Sequence, residues 1–105
     1  MTMMTFDTDA PRTCGIVVLS DNGLVQEMHE KTAEPPGRRA NAAVYVFEPE
    51  VVDFIASLGR LVVDLSTEVL PHFMGRIYTF HNSCYHRDIG SPETLKRAEA
   101  EFATL

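Results

Sequence analysis

An Asn-Gly pair set between two apolar runs fixes one piece of this chain's topology before anything else. Gly15–Leu19 is apolar and rich in β-branched residues, Ser20-Asp21-Asn22-Gly23 follows, and Leu24 to His29 returns. The tightest hairpin turns need positive φ, which Asn and Gly supply at least cost, so the sequence predicts an antiparallel hairpin. Alternation puts Val25 and Glu27 on one face of the returning strand, with Leu24, Gln26 and Met28 on the other. Other strand candidates surround it. Thr2 to Phe6 is β-prone. Asn41 to Phe47 is nearly all apolar, as for a central strand buried on both faces. Arg76 to His81 alternates Ile77, Thr79 and His81 against Tyr78 and Phe80, and Cys84 to Ile89 reads as a further strand.

Helical signals lie between and after these runs. Pro49 opens a helix whose apolar stripe is Val51, Val52, Phe54, Ile55 and Leu58, and Gly59 ends it. Ser66 is expected to cap a short second helix holding Val69, Leu70 and Phe73, limited or bent by Pro71. Ser91 and Pro92 start a last helix carrying Leu95, Ala98 and Phe102. The pattern is mixed α/β.

Size and charge narrow the possible roles. A chain of 105 residues is one domain or part of one. With 9 basic and 15 acidic residues its net charge is −6, which argues against nucleic-acid or membrane-surface partners. Nucleotides need only a few local cations. Two cysteines, Cys14 and Cys84, are too few for a disulfide scaffold and fit a reduced, cytoplasmic setting. No apolar run approaches the length of a membrane span.

Three groups of residues offer chemistry. Tyr85 to Glu93 reads as a strand end, a glycine turn at Gly90 and a helix start. It sets Asp88 at a strand's C-terminal edge, where ligands collect in open α/β sheets. Taken alone, Asp88 equally well only orients the turn. Glu30-Lys31, taken alone, reads as a surface ion pair. His81, Cys84 and His86 form a rival zinc constellation, although their spacing is no standard ligand signature.

The ordered set is more specific than its parts. Gly15-Ile16-Val17-Val18-Leu19 with Asp21-Asn22-Gly23, then Glu30-Lys31 with Glu34-Pro35-Pro36, Ala40 to Phe47, Asp64 to Pro71 and Asp88-Ile89-Gly90-Ser91 together resemble the sugar-1-phosphate nucleotidyltransferases. The mannose-1-phosphate and heptose-1-phosphate guanylyltransferases are the nearest in flavour. The resemblance implies the C-terminal half of a mixed-sheet, Rossmann-like nucleotide-diphospho-sugar transferase domain, with residues 1–105 as a single partial domain. It implies that Glu30 accepts hydrogen bonds from sugar hydroxyls and that Lys31 contacts the sugar phosphate. Gly15 and Asn41 would approach the sugar, and Asp88 would bind Mg²⁺. Lys31 and Asp88 would be the catalytic pair, and the partners a sugar 1-phosphate and a nucleoside triphosphate. Many relatives carry Gly at the position of Ala43 and an aromatic at that of His86. The family's glycine-rich nucleotide-binding loop has no counterpart in the sequence, whose start resembles a mid-domain strand. The expectation is a truncated piece, inactive alone, with an open sheet edge that invites self-association. A non-catalytic sugar-phosphate-binding or assembly module is the alternative, and a zinc-binding interaction protein a weaker one.

Overall fold

The computed structural model describes all residues, Met1–Leu105. Five strands form one sheet: β1 (Thr2–Asp7), β2 (Gly15–Leu19), β3 (Val25–Glu30), β4 (Arg39–Val46) and β5 (Tyr78–His81), in the order β3-β2-β4-β1-β5. All neighbours are antiparallel except β1 and β5, which run parallel. There are two α-helices, α1 (Pro49–Ser57) between β4 and β5 and α2 (Pro92–Phe102) after β5. None of the helices is long and apolar enough to cross a membrane.

The predicted hairpin is present. Gly23 adopts φ 79, and Ser20 N–H donates to Leu24 O at 2.8 Å across the turn. The expected facing of β3 is not kept. Val18 lies opposite Glu27 but Leu19 opposite Val25, so Gln26 is an extra residue and a β-bulge resets the alternation. Val25 is buried in the core and Met28 packs against it, on the same side. The hairpin meets β4 in register only at Ile16 and Ala40. Its turn end swings back toward the opposite edge of the sheet. There Val25 N–H donates to Ile77 O at 2.9 Å and the Thr79 hydroxyl to Gly23 O at 2.7 Å. The turn end of the hairpin thus lies beside the start of β5.

The core lies on one face of the sheet. Met1, Met3, Val17 and Val25 meet Val51 of α1 together with Val69, Leu70, Phe73 and Ile77. Burying a side chain of this size stabilises by roughly 1.5–3 kcal/mol. The α1 boundaries match the sequence signals: Pro49 is the first helical residue, and Gly59 follows the C-cap at φ 65. Phe54 lies flat on His72, with ring centroids 4.0 Å apart, whereas Val52 points to solvent.

Three expectations are corrected. The short second helix is a π-turn, Leu65–Val69, that passes into a 3₁₀ turn, Leu70–Phe73. Pro71 has no N–H to continue an α-helical ladder. Its cap is Asp64, which accepts from Thr67 N–H at 3.1 Å, while Ser66 lies inside the turn. The second correction concerns β4, which is central and buried at Ala40 and Ala42 but not on both faces at its C-terminal end. Opposed residues share a face, so Thr2, Val46 and Tyr78 line one side with Met4 and Phe80. On that side Val46, Tyr78 and Phe80 are 70%, 59% and 64% exposed. No helix covers them. Finally, Cys84 to Ile89 is not a strand. Asn82 takes the local hydrogen bonds instead, accepting from Cys84 N–H at 2.9 Å and donating to Tyr85 O at 3.0 Å. Such side-chain turns compete directly with a sheet ladder.

Candidate functional site

Four of the five candidate residues line one cleft of about 240 Å³: Gly15, Glu30, Asn41 and Asp88. Each comes from a different segment. Gly15 begins β2 and Glu30 ends β3, directly opposite each other in the hairpin. Asn41 comes from β4 and Asp88 from the loop before α2. A Cβ at Gly15 would lie 2.7 Å from Glu30 Oε2, so the glycine leaves the space that the Glu30 carboxylate occupies.

Asn41 is fixed from both ends of its amide. Its Nδ2 donates to the Tyr45 hydroxyl at 2.7 Å, and its Oδ1 accepts from Ala43 N–H at 2.8 Å. That second bond is possible because Ala43 stands at φ 57, a left-handed conformation that glycine adopts freely. The register of β4 against β1 slips at the same place, between Met3 and Thr5. The bulge thus puts Asn41 and Tyr45, four residues apart, within reach of each other. Burial holds the Tyr45 phenol above its ordinary pKa, and the nearby Glu30 carboxylate adds to the rise, so Tyr45 remains a neutral hydroxyl.

Lys31 is placed differently. Its backbone is tied to β2 by an N–H bond to Cys14 O at 3.0 Å and is held at φ 51. The side chain is exposed and is not part of the cleft wall. Two non-glycine residues with positive φ in the whole chain, Lys31 and Ala43, therefore flank this one site. Backbone strain of this kind concentrates at functional sites.

Asp88 stands on the wall shared with a second, larger cleft of about 470 Å³, lined by Asp9, Arg38, Arg87 and Arg97. Its carboxylate folds back over Gly90, where a Cβ would come within 3.4 Å of both oxygens. Arg87 and Arg97 are engaged with Asp9 and Glu101, Arg38 donates to Thr8 O, and Asp88 is left without an ion pair. Two free, hard oxygens on an exposed carboxylate suit Mg²⁺, which takes one or two protein carboxylates and keeps its other places for water and phosphate. The fit extends to one ligand, since no three His, Cys, Asp or Glu side chains gather into a metal site.

That gathering also fails for His81, Cys84 and His86. His81 Nδ1 meets the Thr5 hydroxyl at 2.9 Å, Cys84 is exposed, and His86 Nε2–H donates to Ala42 O at 3.2 Å. The His86 ring lies on Phe6, with centroids 4.1 Å apart, and both residues line the cleft.

Thr13, Tyr45 and Ser66 also line the cleft and were not singled out by sequence. Spacing along β4 would have pointed to Tyr45, had the bulge been visible. Ser66 reads as a helix cap until the π-turn moves that role to Asp64.

Known proteins resemble this chain in sequence and in fold. The nucleotidyl transferase family model matches residues 1–104. A mannose-1-phosphate guanylyltransferase of Mycobacterium tuberculosis is 36% identical over 96 residues, covering 88% of this chain and 26% of the relative. A mannose-1-phosphate guanyltransferase of Candida glabrata is 30% identical over the same shares. Among solved structures, a glucose-1-phosphate thymidylyltransferase from Bacillus anthracis superposes with a TM-score of 0.77 at 19% identity, over 99% of this chain and 44% of that one. The chain thus spans about a quarter of the length of the curated relatives it matches. On the family match over almost every residue, the chain belongs to the nucleotidyl transferase family.

Proposed function

We propose that the chain is the sugar-1-phosphate-binding part of a sugar-1-phosphate nucleotidyltransferase, which joins a sugar 1-phosphate to a nucleoside triphosphate and releases pyrophosphate. The observation that carries this reading is the convergence of Gly15, Glu30, Asn41 and Asp88 on one cleft. These are the residues that the ordered motifs assign to sugar and metal.

Both reactants are anionic, so the protein's work is to position them and to offset charge. In this proposal Glu30 accepts hydrogen bonds from the sugar hydroxyls, and Gly15 leaves room for its carboxylate. Asn41, locked by Tyr45 and Ala43, presents a fixed amide edge to the ring. Lys31 swings from the end of β3 to meet the sugar phosphate as a point charge. Asp88 would hold Mg²⁺, which when bound supplies charge stabilisation to the transferring phosphoryl group. The free state of Cys14 and Cys84 accords with a reduced, cytoplasmic setting.

A chimaera tests the reading. This chain replaces the matching segment of the Mycobacterium tuberculosis relative, and pyrophosphate release is followed with mannose 1-phosphate. Lys31→Ala should weaken sugar 1-phosphate use and leave nucleotide binding largely intact. Asp88→Ala should lower turnover with both substrates saturating, and added Mg²⁺ should partly restore it. An active chimaera indifferent to both substitutions would contradict the assignment.

A further inference from the structure

The segment that carries Asp88 has little backbone support. From Ser83 to Gly90 there is no strand or helix, and the last ladder-like bond before α2 is Asn82 N–H to Thr5 O at 2.8 Å. The helix that follows is equally detached. No residue of α2 is buried, and Leu95 and Phe102 are exposed. Yet Asp88 and the α2 cap occupy a defined place against β1.

His86 anchors the segment to the sheet through its ring on Phe6 and its bond to Ala42 O, and one guanidinium ties it to α2 and to the loop after β1. Arg87 Nε and Nη2 donate to the two carboxylate oxygens of Glu101 at 2.9 and 3.0 Å, a two-pronged pair onto the last turn of α2. Its Nη1 reaches both oxygens of Asp9, at 3.3 Å each, in the loop after β1. The Arg87 side chain is only 17% exposed. Tyr85 O–H adds a 3.0 Å bond to Glu101, and Arg97 of α2 reaches Asp9 at 3.0 Å. Three segments thus meet at Arg87, and Asp88 is the next residue in the chain.

The geometry points to Arg87 as a positioning residue: by clamping Asp9 and Glu101 together it sets the Asp88 carboxylate in the cleft. The consequence for metal rests on the proposed role of Asp88, whereas the clamp does not. A purely electrostatic view predicts the opposite outcome for a bound cation. Removing a positive charge beside Asp88 should then strengthen binding, whereas loss of position should weaken it.

Two readouts on the ¹⁵N-labelled chain separate these. The first is amide hydrogen exchange across residues 86–90 and α2. Arg87→Gln and Glu101→Gln should each speed exchange there and leave the β2–β3 hairpin unchanged. Arg87→Lys, which keeps charge but not the fork, should restore only part of the protection. Unchanged exchange in both Gln variants overturns the clamp. Glu101→Gln keeps the test decisive if Arg87→Gln does not fold, because Glu101 touches no core group. The second readout is line broadening by Mn²⁺ alone. Wild type should broaden first at Asp88, Ile89 and Gly90. Arg87→Gln should need about tenfold more Mn²⁺, the lower end for losing a group that orients a ligand. Equal or tighter binding in Arg87→Gln overturns the positioning role. Wild type that never broadens at these amides, with exchange still responding to Arg87, sinks the metal role of Asp88 and leaves the clamp standing.

Discussion

At the scale of single residues the site depends on positions where a side chain is absent or strained. Ala43 holds φ 57 so that its N–H can lock Asn41. A non-glycine residue there costs about 1–2 kcal/mol, partly offset in glycine by its looser unfolded chain. Ala43→Gly should therefore stabilise by about 0.5–1 kcal/mol in denaturant unfolding, with Asn41 still fixed. Gly15→Ala should behave in the opposite sense. Its Cβ would push on the far end of Glu30, a flexible group, so stability should change little while Glu30 leaves its place. Sugar 1-phosphate binding should fall and the melting temperature should hold. Gly15, Glu30, Asn41 and Asp88 were legible because motif and order mark them. Tyr45 was not, since its approach to Asn41 depends on a bulge that no local propensity announces.

At the scale of elements the hairpin, α1 and the Ser91 cap were legible, each from a local signal. Asn22-Gly23 set the turn, Gly59 the helix end, and Ser91 with Pro92 the start of α2, where the structure adds Thr94 to the cap. The run from Cys84 to Ile89 was misread as a strand. Its composition is β-like, but Asn82 captures the first backbone groups and Arg87 is drawn to two carboxylates from distant segments. The α2 stripe was legible as a pattern, although nothing in the chain covers it. Its attachment is ionic and should be pH-dependent. The hydrogen bonds from Arg87 hold Glu101 below the ordinary carboxylate value of 4.5, although partial burial opposes them. A carboxylate with a lowered folded pKa stabilises the docked helix fully above 4.5, and that contribution is lost as pH falls through the folded value. Acid titration by NMR should therefore release α2 as pH falls below the ordinary carboxylate value of 4.5, with the β2–β3 hairpin still paired. Concerted loss of both would show that α2 is held by something other than this clamp.

At the scale of the whole molecule one sheet face is packed, and the other is covered at Phe6, Ile16 and Ala40 but bare at its Val46–Tyr78–Phe80 end. Leu70 is fully buried between the π-turn and the sheet, and Leu70→Ala should cost about 2–5 kcal/mol in thermal or denaturant unfolding. The bare end, with Val46, Tyr78 and Phe80, is an unpartnered apolar surface that should promote self-association. Light scattering should report species larger than a monomer as concentration rises, and a clean monomer throughout would contradict this. The 105-residue chain should show no pyrophosphate release by itself, since its sequence has no glycine-rich loop to cradle the triphosphate. On the proposed reading sugar 1-phosphate binding needs only the cleft, and it provides the most direct test of the central claim. Titrating the ¹⁵N-labelled chain with mannose 1-phosphate should shift the amides of Gly15, Glu30, Lys31, Asn41 and Asp88 together, more strongly than mannose or inorganic phosphate does. Shifts that are absent, or that cluster on the Val46–Tyr78–Phe80 face, would contradict the assignment of the cleft.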